Sequence, residues 1–136
     1  MPLVSRKGIL AIAAVIDVAV NARARPVSAK ALAARHKLPP RHLEPVLQAL
    51  VRDGIVRGVR GPHGGYELAR AHRSISVEDI LRAINTAEES ARPAWPPSPL
   101  ANAVVKPALV EAEHSFDSAL GRISVEDMAV RASALK

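Results

Sequence analysis

Two clusters in this 136-residue chain hold side chains suited to recognition chemistry, and both are cationic or hydrogen-bonding rather than nucleophilic. In the first, Arg41, His42, Glu44, Gln48 and Arg52 fall opposite the series Leu43, Val46, Leu47 and Leu50. The i, i+3, i+4, i+7 spacing of that series makes one apolar helical stripe, which leaves the polar groups on the outer face. In the second, Arg60-Gly61-Pro62-His63-Gly64-Gly65 sets an arginine and a histidine in a glycine-rich stretch. Glycine permits positive φ and carries no bulk, so such a backbone can approach another polymer closely while Arg60 and His63 project toward it. Phosphates attract cations and base edges take hydrogen bonds, so a duplex would suit both clusters.

Other chemistries find little support. The chain has no cysteine, which excludes disulfide frameworks, thiolate zinc sites, cysteine-ligated iron-sulfur clusters and a cysteine nucleophile. Five histidines, at 36, 42, 63, 72 and 114, include no pair at the i, i+3 or i, i+4 spacing of a helical metal site. His36 and His42 lie across a turn with no obvious third ligand, so no metal is expected. The carboxylate pairs Glu78-Asp79 and Glu126-Asp127 sit in a near-repeat, Ile75-Ser76-Val77-Glu78-Asp79-Ile80 and Ile123-Ser124-Val125-Glu126-Asp127-Met128. Each Ser can cap a helix and the acids complement its N-terminus, so the repeat reads as a shared capping solution rather than a catalytic pair. No Ser-His-Asp spacing or phosphate loop is evident, and Gly64-Gly65 is no dinucleotide fingerprint. The expectation is a protein that is not an enzyme.

Charge locates the polar partner. Residues 1–73 hold 13 Lys and Arg against 4 Asp and Glu, a net +9, whereas residues 74–136 hold 6 against 9, a net −3. The basic half is the one expected to meet a phosphate backbone. With only three aromatic residues, base stacking on single strands is disfavoured. Alanine occurs 25 times, so the core must use Ala, Val, Ile and Leu, a combination suited to closely packed helices. Arg6-Lys7, the apolar run Ile9 to Ile16 and Ala22-Arg23-Ala24 imitate a secretory signal. Asp17 interrupts that run, and Ile9, Ala13, Ile16 and Val20 form a stripe that a following domain could bury, so a core helix is expected. No stretch approaches the roughly 18 apolar residues of a membrane span. A cytoplasmic protein without a membrane partner is expected.

The elements that must position the two clusters follow from their neighbours. Pro26 ends the first helix, and Ser28 caps a short one from Ala29 to about Arg35. Leu38 closes a turn and Pro39-Pro40 opens the helix carrying Arg41, His42 and Glu44. Pro45 conflicts with that helix: it removes a backbone hydrogen bond and biases Glu44 away from helical geometry. Either the first turn is distorted or the helix proper starts later. Asp53-Gly54 stops it, Ile55 to Val59 reads as a strand, and Tyr66 to Ala69 as its antiparallel partner. A helix-turn-helix followed directly by such a hairpin is a winged helix, in which Arg60 would enter or flank a minor groove. The fold class is mainly α with a small β-hairpin: a winged helix-turn-helix over 1–84, a proline-rich linker over 85–99, and a dimerisation helix plus C-terminal helix over 100–136.

Ser5-Arg6-Lys7-Gly8, Leu43-Glu44-Pro45-Val46-Leu47, Gly54-Ile55-Val56 and above all Val59-Arg60-Gly61-Pro62-His63-Gly64-Gly65-Tyr66-Glu67-Leu68-Ala69-Arg70 resemble the Rrf-two family of bacterial regulators. The Arg-Gly-Pro-x-Gly-Gly-Tyr wing is specific, and the similarity extends more weakly over almost the whole chain. The resemblance implies a dimeric winged-helix transcription factor, usually a repressor, on a pseudo-palindromic operator in double-stranded DNA. Glu44 stands where iron-sulfur-type members carry a base-reading Glu, and Arg60 where they carry the wing's minor-groove Arg. On this reading Arg41, His42 and Glu44 contact base edges, Arg60 and His63 the minor groove or its phosphates, and Ser5, Lys7, Ser28, Arg52 and Arg57 the backbone.

Cluster-binding relatives place three cysteines in the region 85–105, and this chain has none there, so sensing must use other chemistry. From Asn85 to Pro99 an irregular, proline-rich loop surrounds Trp95, which could wall a pocket for a small-molecule or protein effector or simply fill a gap in the core. Beyond it Val105, Leu109, Ala112, Phe116 and Ala119 make a heptad-like seam suited to a homodimer interface, or to packing back on the first helix. Pro107 either kinks this helix or marks its first turn. A rival reading is a signalling adaptor that binds a metabolite or enzyme through the Trp95 loop and C-terminal helices, with weak or lost DNA binding.

Overall fold

The computed structural model describes residues 4–89 and 97–135, with the side chains of 87–89 left aside. Among these residues six α-helices and one hairpin follow in the order α1 (Arg6–Asn21), α2 (Ala29–Arg35), α3 (Pro40–Arg52), β1 (Val56–Val59), β2 (Gly65–Leu68), α4 (Val77–Glu89), α5 (Lys106–Gly121) and α6 (Val125–Ser133). The strands pair antiparallel from Val56 opposite Leu68 to Val59 opposite Gly65. A 3₁₀ turn, His72–Ser74, leads into α4. Helix α4 continues to Glu89, so residues 85–89, expected to be irregular, are helical. Trp95, Pro93 and Pro96 lie outside the described residues.

The core forms where α1, α3 and α4 meet behind the hairpin, from Val15, Val46, Leu50, Ile55, Ile80 and Ile84. A second cluster, Val18, Val27, Leu32, Leu43 and Leu47, joins α2 to α3 and holds the helix-turn-helix together. Helix α1 buries a different stripe from the one its larger side chains suggest. Gly8, Ala11, Ala14, Val15 and Val18 face inward, while Ile9 is 55% exposed and Ala13, Ile16 and Val20 are half-buried on the other side. The cause is close approach. A Cβ on Gly8 would lie 2.8 Å from Leu81 of α4, so the start of the inner face takes small residues, Gly8 and Ala11, while Val15 and Val18 fill the core further along.

The repeated Ile-Ser-Val-Glu-Asp segments cap helices as expected. Ser76 accepts from the Asp79 amide at 3.1 Å and Asp79 accepts from the Ser76 amide at 3.0 Å. Ser124 and Asp127 reproduce the arrangement at 3.0 and 3.1 Å. The two repeats also pair with each other: Val77 N–H donates to the Ile123 carbonyl and Val125 N–H to the Ile75 carbonyl, both at 2.8 Å. Ile75, Val77 and Val125 are buried there, which docks the start of α6 onto the start of α4 and seats α6 along α1.

Helix α5 stands apart. It packs on α4 and buries none of its residues. A π-helical turn, Ala101–Val105, precedes it, in which Lys106 N–H reaches back five residues to the Ala101 carbonyl. Pro107 lacks an N–H and crowds the preceding turn, and the widened turn accommodates it.

Candidate nucleic-acid interface

Helix α2 is capped by Ser28, whose hydroxyl accepts from the Ala31 amide at 3.0 Å. It ends in a Schellman motif: Leu38 N–H bonds the Ala33 carbonyl at 2.9 Å and Lys37 N–H that of Ala34 at 3.3 Å. The motif forces Lys37 to φ 55°, a left-handed conformation usually left to glycine. Pro39 then serves as the extended N-cap of α3, so the turn between the helices is short and stiff.

The Pro45 conflict is resolved in an intermediate way. Helix α3 runs unbroken through Pro45, but its first turn is tight, with His42 N–H bonding the Pro39 carbonyl three residues back at 3.0 Å. Proline at 45 offers no N–H to the Arg41 carbonyl, the partner an ordinary residue there would serve. Arg41, His42 and Glu44 are all exposed on this first turn, while Leu43, Val46, Leu47 and Leu50 are buried behind them.

The wing is pinned at its base. Tyr66 exchanges two backbone hydrogen bonds with Val27, at 2.9 and 2.7 Å, which ties β2 to the segment between α1 and α2. A side chain on Gly65 would run into the Val27 carbonyl, and one on Gly64 into that of Val59. Gly61 adopts φ 113° and accepts from the Gly64 amide at 2.9 Å, closing the tip. Arg60 and His63 are exposed there. The tip and α2 border one groove of about 400 Å³, lined among others by Arg25, Ser28, Pro62 and His63. Ser28 and His63 are thus brought together. Arg25, on the same groove, does not stand out in the sequence. Its signal there is the pair Arg23 and Arg25 just before Pro26, which reads first as part of a cleavage-like stretch.

Of the residues expected on the backbone, Ser5 caps α1 by accepting from the Gly8 amide at 3.0 Å, and Lys7 is exposed. Arg57 donates to Glu67 across the hairpin, with Nε at 2.6 Å, and Arg52 Nη2 reaches the Ala83 carbonyl at 3.5 Å. These two guanidinium groups already have partners within the chain. Val105, closing the π-helical turn, is 42% exposed, Leu109 on α5 is 48% exposed along with Ala112 and Ala119, and Phe116 is half-buried. Among the described residues the seam is left largely uncovered.

Asp17, legible in the sequence only as an interruption of an apolar run, joins α1 to the end of α2. Arg35 donates to both its oxygens, Nη2 to Oδ1 at 2.7 Å and Nε to Oδ2 at 2.9 Å. Asn21 Nδ2 donates to Oδ1 at 3.0 Å, and His36 Nε2 lies 3.1 Å from Oδ2. Burial alone would raise the Asp17 pKa, but the hydrogen bonds from Arg35 and Asn21, with the Arg35 and His36 charges, hold it below the ordinary carboxylate value. Among the described residues no group of three His, Asp or Glu is placed to hold a metal, and no helix is long and apolar enough to cross a membrane.

Known proteins match this arrangement. The Rrf2 family profile, described as iron-dependent transcriptional regulator, matches residues 4–131. The transcriptional regulator IscR of Escherichia coli is 35% identical over 86 residues, covering 63% of this chain and 53% of that protein. Among solved structures, T. potens IscR is 34% identical with a TM-score of 0.75, covering 96% of this chain and 88% of that one. The global cysteine regulator CymR of B. subtilis is 24% identical with a TM-score of 0.74, covering 96% and 98%, and shares the fold. The alignments span about half the length of the curated relatives. With the family's wing in place on the helix-turn-helix and a matching profile over nearly all its length, the chain belongs to the Rrf2 family of transcriptional regulators.

Proposed function

We propose that this chain is a homodimeric, sequence-specific DNA-binding regulator, acting as a repressor, whose signal is not read by cysteine. The observation that carries the reading is the pinned wing, which sets His63 on a groove shared with Arg25 and α2 and leaves Arg60 exposed on the same loop. Arg41, His42 and Glu44, exposed on the first turn of α3, would read base edges in the major groove. Ser5, Lys7 and Ser28 would contact phosphates, and Arg52 and Arg57 would have to exchange their present partners for phosphate oxygens. The seam from Val105 through Leu109, Ala112, Phe116 and Ala119 of α5, largely exposed, would be covered by the same seam of a second copy. Two-fold symmetry then sets half-sites roughly 34 Å apart or a multiple of it.

The test is selection of bound fragments from the source genome, followed by binding to the selected duplex. The expected result is a pseudo-palindromic site bound by a dimer. Recovery of fragments without a shared site, or no salt-sensitive binding of duplex DNA at low ionic strength, would contradict it.

A further inference from the structure

A cavity of about 470 Å³ lies between the end of α1, strand β2, the 3₁₀ turn and α6. Its apolar wall is Ala19, Leu68, Ala129 and Val130, and Val130 is 66% exposed. Small side chains at 19 and 129 leave this space open, and its size falls within the roughly 300–1,000 Å³ of small-molecule sites.

The rim decides the chemistry. Glu126 has a partner, since His72 Nε2 lies 3.2 Å from its Oε2. Glu67, in the adjoining groove, is held by Arg57. Arg23 borders both the cavity and that groove, is exposed, and has no hydrogen bond or ion pair among the described residues. One uncompensated guanidinium beside an apolar wall matches a carboxylate on a compact apolar body, because the planar fork of Arg takes a carboxylate with two parallel hydrogen bonds.

The position links three parts of the molecule. Helix α1 leads into the helix-turn-helix, β2 is the return strand of the wing, and α6 follows the exposed helix α5. A ligand here would touch the reading head and the segment attached to the α5 arm together, and any difference in its affinity for two arrangements of these parts would shift their populations. We propose that this cavity binds a small carboxylic acid, with its carboxylate on Arg23, and that occupancy is coupled to DNA affinity. The coupling rests on the DNA-binding reading above; the site itself does not. It would give a chain without cysteine a means of sensing.

The full chain is titrated with isovalerate, benzoate and phenylacetate, and with their amides, followed by amide NMR shifts and calorimetry. At least one acid is expected to shift Ala19, Leu68 and Ala129, with its amide weaker by about tenfold or more. Arg23→Ala should weaken that acid by a similar factor, and Ala129→Trp, which fills the cavity, should abolish binding. Saturating acid should change duplex affinity by about fivefold or more, and DNA should change acid affinity by the same factor. Binding by none of the three acids, equal binding by acid and amide, or acid binding indifferent to Arg23→Ala would overturn the site. Should Ala129→Trp fail to fold, Arg23→Ala and the amides still decide. Acid binding with no change in DNA affinity would overturn the coupling, whereas an acid-free protein that fails to bind duplex DNA would break the regulator reading and leave the NMR titration to decide the cavity.

Discussion

Helices α3 and α5 carry apolar residues at similar helical spacing, yet α3 buries Leu43, Val46, Leu47 and Leu50 while α5 buries nothing. Helix α3 lies against α1, α2 and α4 and is followed at once by the hairpin, so its stripe closes a core. Helix α5 touches α4, and the paired repeats that dock α6 tether its far end to the domain. The same pattern therefore serves folding in one half of the molecule and leaves an uncovered face in the other. What decides between them is how many other elements lie alongside the helix.

The sharpest way to break this contrast is a pair of leucines. Leu47→Ala, in a fully buried position, should lower unfolding free energy by about 2–5 kcal/mol. Leu109→Glu should leave the unfolding of the protomer nearly unchanged yet convert the proposed dimer to monomer in sedimentation. A Leu109→Glu chain that unfolds as readily as Leu47→Ala would show that α5 belongs to the core after all.

A second contrast lies within the reading head. Pro45→Ala supplies the missing N–H to the Arg41 carbonyl and should raise stability, with about 3 kcal/mol as the upper bound, in urea unfolding. If Pro45 shapes the first turn for recognition, the gain comes with weaker operator binding. The Asp17 clamp should follow with about 1.5–3 kcal/mol lost in Asp17→Asn, since charged hydrogen bonds from Arg35 are removed from a side chain only 7% exposed. Its folded-state pKa lies below the unfolded value, so this contribution is complete above the ordinary value of 3.8 and is lost as pH falls through the depressed one. The acid limb of the stability curve should accordingly flatten in Asp17→Asn. The smallest effect expected is Lys37→Gly, which relieves the left-handed conformation and should raise stability by about 1 kcal/mol or less.

Much of the reading head was legible because its signals are local. Ser28, Pro39-Pro40, the Leu43 to Leu50 stripe, Gly54 and the wing glycines each fix backbone geometry within a few residues, and the helix bounds and hairpin follow from them. Three features were not legible for the opposite reason. The inner face of α1 differs from the expected stripe because burial there depends on which side α4 approaches, closely enough at Gly8 to leave no room for a side chain, and that is a tertiary fact. The pairing of Ser76 with Ser124 joins segments 48 positions apart, and capping alone does not show that they meet. Asp17 finds Arg35 and His36 only after α2 folds back on α1, so its role could not be read from the helix that carries it.

The central claim is that the wing places Arg60 in a DNA groove, and the most direct measurement is duplex affinity against salt for the native chain and for Arg60→Ala. The native chain should lose affinity linearly on a logarithmic salt scale, with Arg60→Ala losing about 1–3 kcal/mol of discrimination between operator and unrelated duplex. An Arg60→Ala chain that binds its operator with unchanged affinity and an unchanged salt slope would contradict the account.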